Sequence, residues 1–434
     1  MRSEYYGQPS LRRWWWIGAG TVVVLLVALV VLRHVNASQA DAGAAAPPPS
    51  YDPPAGFDAG AGTPLPREAD GDPMPALLHG FDAFLALPAG LQVVDTRTGD
   101  VRAQLEPTAA PSTAGSPAVE VRATGLPPHP PVPGSVAGRA AVIAAFQVTV
   151  PGHGTTVGHD AVQLLAVGQD GYAPLATARI DLPISLDGAD ALREAWPVGT
   201  DGPVLVVTAL LGPDRTPASY GIDLAAGRMV WQLPGFQAQA LVGGVAIGST
   251  AVALGRYQVT AVGAADGRRR WASKGPQVVG AQIWPAGPAL VAVSTSDAVT
   301  GTRLLSLLDS GTGAVKATEP DQGGLTCRFD ERSSTVCYRA EAGGSWVAGF
   351  DASTGKRVWQ LPDPAAGRIA PRVSTAWHGT VYARTDDGTV ALDARTGADR
   401  PTPPGIAPDL VDEYVGLVAA TSTRPRPTAH LATS

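Results

Sequence analysis

Apolar residues in this chain come in short strand-length runs, and the runs recur. Six times such a run closes on an acidic or small residue followed by three spacers and a glycine. The pairs are Asp95 and Gly99, Asp223 and Gly227, Gly263 and Gly267, Asp309 and Gly313, Asp351 and Gly355, and Asp393 and Gly397. Trp231, Trp271 and Trp359 each stand four residues after their glycine. From Gly227 onward the glycines lie 40, 46, 42 and 42 residues apart. Strand-like runs at a period of about 40 to 45 residues are the pattern of a β-propeller of four-stranded blades. Each motif residue has a packing role in that fold. The aspartate accepts hydrogen bonds from turn amides, the glycine supplies positive φ, and the tryptophan wedges between neighbouring blades. Copies with Ala103, Ala317 or Pro401 at the tryptophan position predict weaker blade contacts there.

Between Gly99 and Gly227 one degenerate copy is visible. Val162 to Val167 reads as a strand, Gly168 to Gly171 as a tight Asp-Gly turn, and Ala176 to Leu182 as a second strand. It raises the count to seven. Two further runs, residues 414–420 and 428–432, need partners. Pairing with the first blade closes the ring and removes its exposed edges. If the tail instead founds its own blade, the number is eight. The expected fold is therefore all-β: a seven-bladed or eight-bladed propeller over residues 77–434.

The pattern upstream is different. Trp14 to Leu32 is 19 residues without a charge, preceded by Arg12 and Arg13. A helix of that length spans roughly 28 Å, and the tryptophans sit where an interfacial belt belongs. Residues 1–13 read as a cytoplasmic tail and 14–33 as a transmembrane signal anchor. The competing reading is a signal peptide cleaved near Val35 to Ala37. Residues 34–76 are rich in Ala, Pro and Gly, without periodicity, and read as a linker. A second Pro-rich stretch, residues 107–134, reads as an inter-blade loop, or as a loop contacting a partner.

Composition sharpens this picture only in places. The net charge of −6 gives no reason to expect a nucleic-acid partner. With 51 glycines and 40 prolines among 434 residues, many turns and few helices follow. Cys327 and Cys337 are the only cysteines and flank a hairpin turn near residues 330–334. If Phe329 faces Thr335, Cys327 faces Cys337, close enough for a structural disulfide, as suits an exported domain.

Candidate chemistry is sparse. His153 and His159 are the only close histidine pair, in a Gly-rich loop without a third ligand. Asp386, Asp387 and Gly388 read first as a turn, and Arg268 to Arg270 as a solvated strand edge. No nucleophile elbow, phosphate-cradling loop or His-Glu-x-x-His helix is present. No catalytic, cofactor-binding or metal-binding residue is assigned.

Two segments carry a resemblance: Phe350-Asp-Ala-Ser-Thr-Gly-Lys-Arg-Val-Trp359 and Val390-Ala-Leu-Asp-Ala-Arg-Thr-Gly397. Both resemble the pyrroloquinoline-quinone-like (PQQ-like) propeller repeat. The first lacks that pattern's Ala-Leu pair, and the second its Lys and Trp. The resemblance implies a propeller fold and leaves function open between quinone-dependent dehydrogenases, non-catalytic envelope assembly proteins and other extracytoplasmic propellers. The dehydrogenases it implies use a calcium-bound quinone, an aspartate base and vicinal cysteines. This chain has no adjacent cysteines, and Asn36 is its single asparagine. The expectation is a non-catalytic, membrane-anchored binding or scaffold module outside the cytoplasmic membrane, with no cofactor and an envelope protein as partner. The alternatives are a quinone-dependent oxidoreductase and a ligand-sensing propeller.

Overall fold

The computed structural model describes residues 50–66, 74–183, 191–274, 278–297, 299–321, 323–339, 345–421 and 425–434. The apolar stretch read as a membrane anchor lies outside these residues. Among those described, no helix is long and apolar enough to cross a membrane. The described chain is all-β, with one 3₁₀ turn at Pro364–Ala366 as its helical element.

Among the described residues the strands fall into eight consecutive antiparallel units: 76–105 (I), 122–181 (II), 192–234 (III), 236–272 (IV), 278–320 (V), 326–361 (VI), 372–400 (VII) and 410–433 (VIII). Units I, III, VI and VII are plain four-stranded meanders. Units IV and V join into one eight-stranded sheet through the pair Tyr257 and Val278. Alternation along each strand turns apolar side chains to both neighbouring sheets, so the core lies between units rather than inside one. Ile143, Leu164 and Ile180 of unit II pack on Leu205, Tyr220 and Ile222 of unit III. Equivalent clusters link every successive pair, and Leu85 of unit I packs on Val415 and Leu417 of unit VIII. The series therefore closes on itself, as in a β-propeller.

Three expectations are corrected. The tail does not join the first unit. Its strands Val415–Val418 and Thr428–Thr433 form unit VIII, where Thr428–Thr433 also pairs with Gly56–Phe57 and Thr63–Pro64. The linker read over residues 34–76 therefore ends early. Phe57 and Leu65 are fully buried, and residues 51–65 act as a strap across the closing sheets. Its lone apolar residues have no periodicity because each enters a different junction.

The Pro-rich stretch 107–134 is likewise not a free loop. Arg122–Ala123 and Val132–Val136 both pair with Arg139–Val150 and build the inner edge of unit II. Between them His129 Nε2 lies 2.7 Å from Glu194 Oε1 of unit III.

The cysteine register is as expected. Phe329 faces Thr335, and Cys327 faces and is bonded to Cys337.

Candidate functional site

Antiparallel meanders divide the molecule into two faces. One face holds the turns between first and second strands and those between third and fourth strands. The other holds the hairpins between second and third strands and the connections from unit to unit.

All the recurrent Asp-x-x-x-Gly turns lie on the first face. Asp309, Asp351 and Asp393 each accept from the backbone and hydroxyl of the threonine three residues on: Thr312, Thr354 and Thr396. Asp223 accepts from Ala226 N, and in the fourth unit's turn Asp266 takes the acceptor role. The amides of Gly99, Gly267, Gly313, Gly355 and Gly397 return to the carbonyl four residues back, at 2.8 Å. These glycines and Gly227 have φ between 62° and 78°. Hydrogen bonds from Ser353 and then Thr354 hold the Asp351 carboxyl at about 2, and the Thr312 hydroxyl lowers that of Asp309. Such saturated carboxylates are turn locks rather than bases.

The three tryptophans bridge units. Trp231 Nε1 donates to Ala264 O at 2.6 Å, Trp271 Nε1 to Ser310 O at 2.7 Å, and Trp359 Nε1 to Ala394 O at 2.9 Å. Each acceptor belongs to the recurrent turn of the next unit. A Cβ on Gly397 would stand 2.5 Å from the Trp359 ring, and one on Gly221 would stand 2.1 Å from Trp231 Nε1. Glycine is required at both, because the indole lies flat on the backbone.

Where tryptophan is missing, other chemistry fills the slot, so the expected weakening is not a simple loss of contact. At the I–II junction Tyr172 Oη donates to Asp82 Oδ2 at 2.6 Å and accepts from Arg102 Nη1 at 3.0 Å. Arg102 also pairs with Asp95 and Asp82. The guanidinium of Arg97, then that of Arg102, lowers the Asp95 carboxyl well below the usual range. At the V–VI junction Arg357 pairs with Glu319 at 2.7 Å. At VII–VIII the strap takes over. Tyr382 Oη donates to Pro54 O at 2.8 Å, and Asp52 lies 2.7 Å from both His378 Nδ1 and Arg332 Nη2. Sequence reasoning missed Tyr172, Asp52 and Phe57. None sits in a motif, and the hydrogen-bond partners of Tyr172 and Asp52 lie 90 and 326 residues away, at Asp82 and His378.

The second face is built differently. Leu254, at the tip of the hairpin between Val245–Ala253 and Arg256–Gly263, is fully exposed. Val299, in the next hairpin turn, is 83% exposed, and Ile369 between units VI and VII is 67% exposed. Tyr257, Val278 and Asp297 are successive cross-strand partners, which sets the first two tips side by side.

A calcium-bound quinone finds no matching donor set among the described residues. No group of three His, Cys, Asp or Glu side chains there is placed to hold a metal ion, and the two cysteines are tied into one buried hairpin disulfide. His153 sits in an exposed turn closed by Thr156, while His159 pairs with Asp181 at 3.2 Å. Asp387 and Gly388 lie at the hairpin turn between Thr380–Thr385 and Gly388–Asp393, and Arg270 pairs with Asp266.

Residues 258–404 match the family described as outer membrane protein assembly factor BamB. Comparison with curated proteins finds no match. Among solved structures, BamB from Moraxella catarrhalis is 11% identical, with a TM-score of 0.45 over 87% of this chain and 100% of that one. A quinohemoprotein alcohol dehydrogenase from Pseudomonas putida is 9% identical, with a TM-score of 0.40 over 87% of this chain and 76% of that one. No residue role is carried over from either.

Proposed function

We propose that this PQQ-like repeat propeller works as a non-catalytic binding or scaffold module of the bacterial cell envelope. In this reading it has eight blades, the N-terminal apolar segment anchors it in the cytoplasmic membrane, and residues 51–434 lie outside.

The observation that supports the reading most is the contrast between the two faces. Turn locks, tryptophans and the strap tie the recurrent-turn face to itself. On the opposite face Leu254 and Val299 stand exposed in hairpin turns. Exposed apolar side chains presented on a β-sheet scaffold suit a protein partner, whose pocket repays their desolvation.

The test is photocrosslinking from position 254 in the native envelope. One protein is expected to be captured, and Leu254→Asp combined with Val299→Asp is expected to abolish its capture. Capture of nothing above background, or an unaffected double variant, overturns the reading. A parallel arm adds Ca²⁺ and pyrroloquinoline quinone to the purified chain. A bound-cofactor spectrum with dye-linked alcohol oxidation would replace scaffold by oxidoreductase.

A further inference from the structure

The outer strand of unit IV is short. It runs Arg269–Ala272, whereas that of unit III runs Arg228–Pro234. Trp271 holds the IV–V junction at Ser310, and beyond the packed cluster of Ile247, Ile283 and Val291 that junction opens as a cleft of about 600 Å³. Its walls include Val259, Val278, Val293, Leu304, Leu308 and Val315. Leu304 is 39% and Val315 61% exposed, so part of this apolar surface remains uncovered. Thr302, Leu304, Ser306 and Leu308 alternate along one strand face, giving a floor about 20 Å long. The strands Leu290–Asp297 and Arg303–Asp309 that form this floor are paired on both edges. The floor therefore offers side chains and no free ladder, which disfavours an extended peptide.

Two charged groups line the cleft, Lys274 and Asp297. Asp297 Oδ1 is committed to its own turn, accepting from Val299 N, Thr300 N and Thr300 Oγ1 at 2.9, 2.7 and 2.9 Å. Lys274 has no ion pair among the described residues. An elongated apolar cleft of ligand size with one uncommitted ammonium calls for a long apolar ligand ending in one anion.

We infer that the cleft between units IV and V binds a free single-chain carboxylate amphiphile. The hydrocarbon lies along Val293, Leu304 and Val315, and the carboxylate meets Lys274. Asp297 and Thr302 of the cleft flank the Val299 turn, but Lys274 and Leu304, which carry this assignment, are not the tip residues assigned to a protein partner, so either assignment can fail alone.

The test labels the full chain with a photoactivatable diazirine derivative of dodecanoic acid and maps the adduct by mass spectrometry. The adduct is expected within residues 293–315, displaced by excess laurate and not by dodecyltrimethylammonium. Lys274→Ala is expected to cut labelling about tenfold, the loss of one charge-assisted hydrogen bond. Leu304→Glu, at a partly exposed position that keeps the fold, is expected to abolish it, and Val358→Glu on unit VI to leave it unchanged. Circular dichroism confirms that each variant is folded. Adducts elsewhere, labelling indifferent to Lys274→Ala or Leu304→Glu, or equal displacement by the cationic amphiphile overturns the inference.

Discussion

The III–IV and I–II junctions fill the same slot by opposite means. At III–IV, Trp231 buries an indole over Gly267 and satisfies its N–H on Ala264. At I–II the equivalent residue is Ala103, and Tyr172 reaches back from the second unit to Asp82 and Arg102. The first junction is held by apolar area, which neither salt nor pH changes. At the second, beside the apolar cluster of Phe84, Val93 and Phe146, the tryptophan slot is closed by charge-assisted hydrogen bonds, which both weaken. A propeller slot thus fixes a geometry to be filled, not the chemistry that fills it.

The largest expected effect is Trp231→Ala, which should cost about 3–5 kcal/mol in denaturant unfolding through transfer and cavity terms. That cost should be the same at pH 7 and pH 3. A strongly pH-dependent cost would mean that the tryptophan junction is not the apolar one described.

The closing unit sharpens the contrast. Asp412 is buried, its Oδ2 lacks a partner among the described residues, and desolvation pushes its carboxyl up to about 7. An acid raised on folding binds its proton more tightly in the native state. Stability is therefore full near pH 4 and falls as pH rises through 7, by on the order of 4 kcal/mol. Asp412→Asn should flatten that fall, seen as a melting temperature that drops less between pH 5 and pH 8 than in the parent. An unchanged slope refutes it.

At the ionic junction Arg102→Met should cost about 1–3 kcal/mol at pH 7. The sign with pH is opposite to that of Asp412. Asp95 is lowered, so its contribution is present above its unfolded value and is lost as pH falls below about 4. The penalty should shrink in acid and in molar salt. Smallest is Thr354→Ala, which removes a hydroxyl from the exposed Asp351 turn at a cost of about 0.5–1 kcal/mol, with normal blade order retained.

Much of this was legible in the chain. The glycine spacing marked the turns, Trp231, Trp271 and Trp359 announced bridges, and counting back from the hairpin turn placed Cys327 opposite Cys337. The strap was not legible, because Phe57 and Leu65 stand alone in a Pro-rich stretch with no period to betray burial. The eighth unit was legible only as the alternative to a tail joined to the first blade, because its strands come from both ends of the described chain. The cleft was equally hidden. It exists because one outer strand stops after four residues, and nothing in Arg269–Ala272 itself says what its neighbour leaves bare.

The sequence by itself determined what is local and periodic: alternation, turn chemistry, and the glycine and tryptophan positions, all set by backbone sterics within a few residues. Tertiary structure alone decided how the ring closes, which chemistry fills each vacant slot and where apolar surface stays open. Those outcomes depend on contacts between segments hundreds of residues apart, and a one-dimensional pattern carries no record of them.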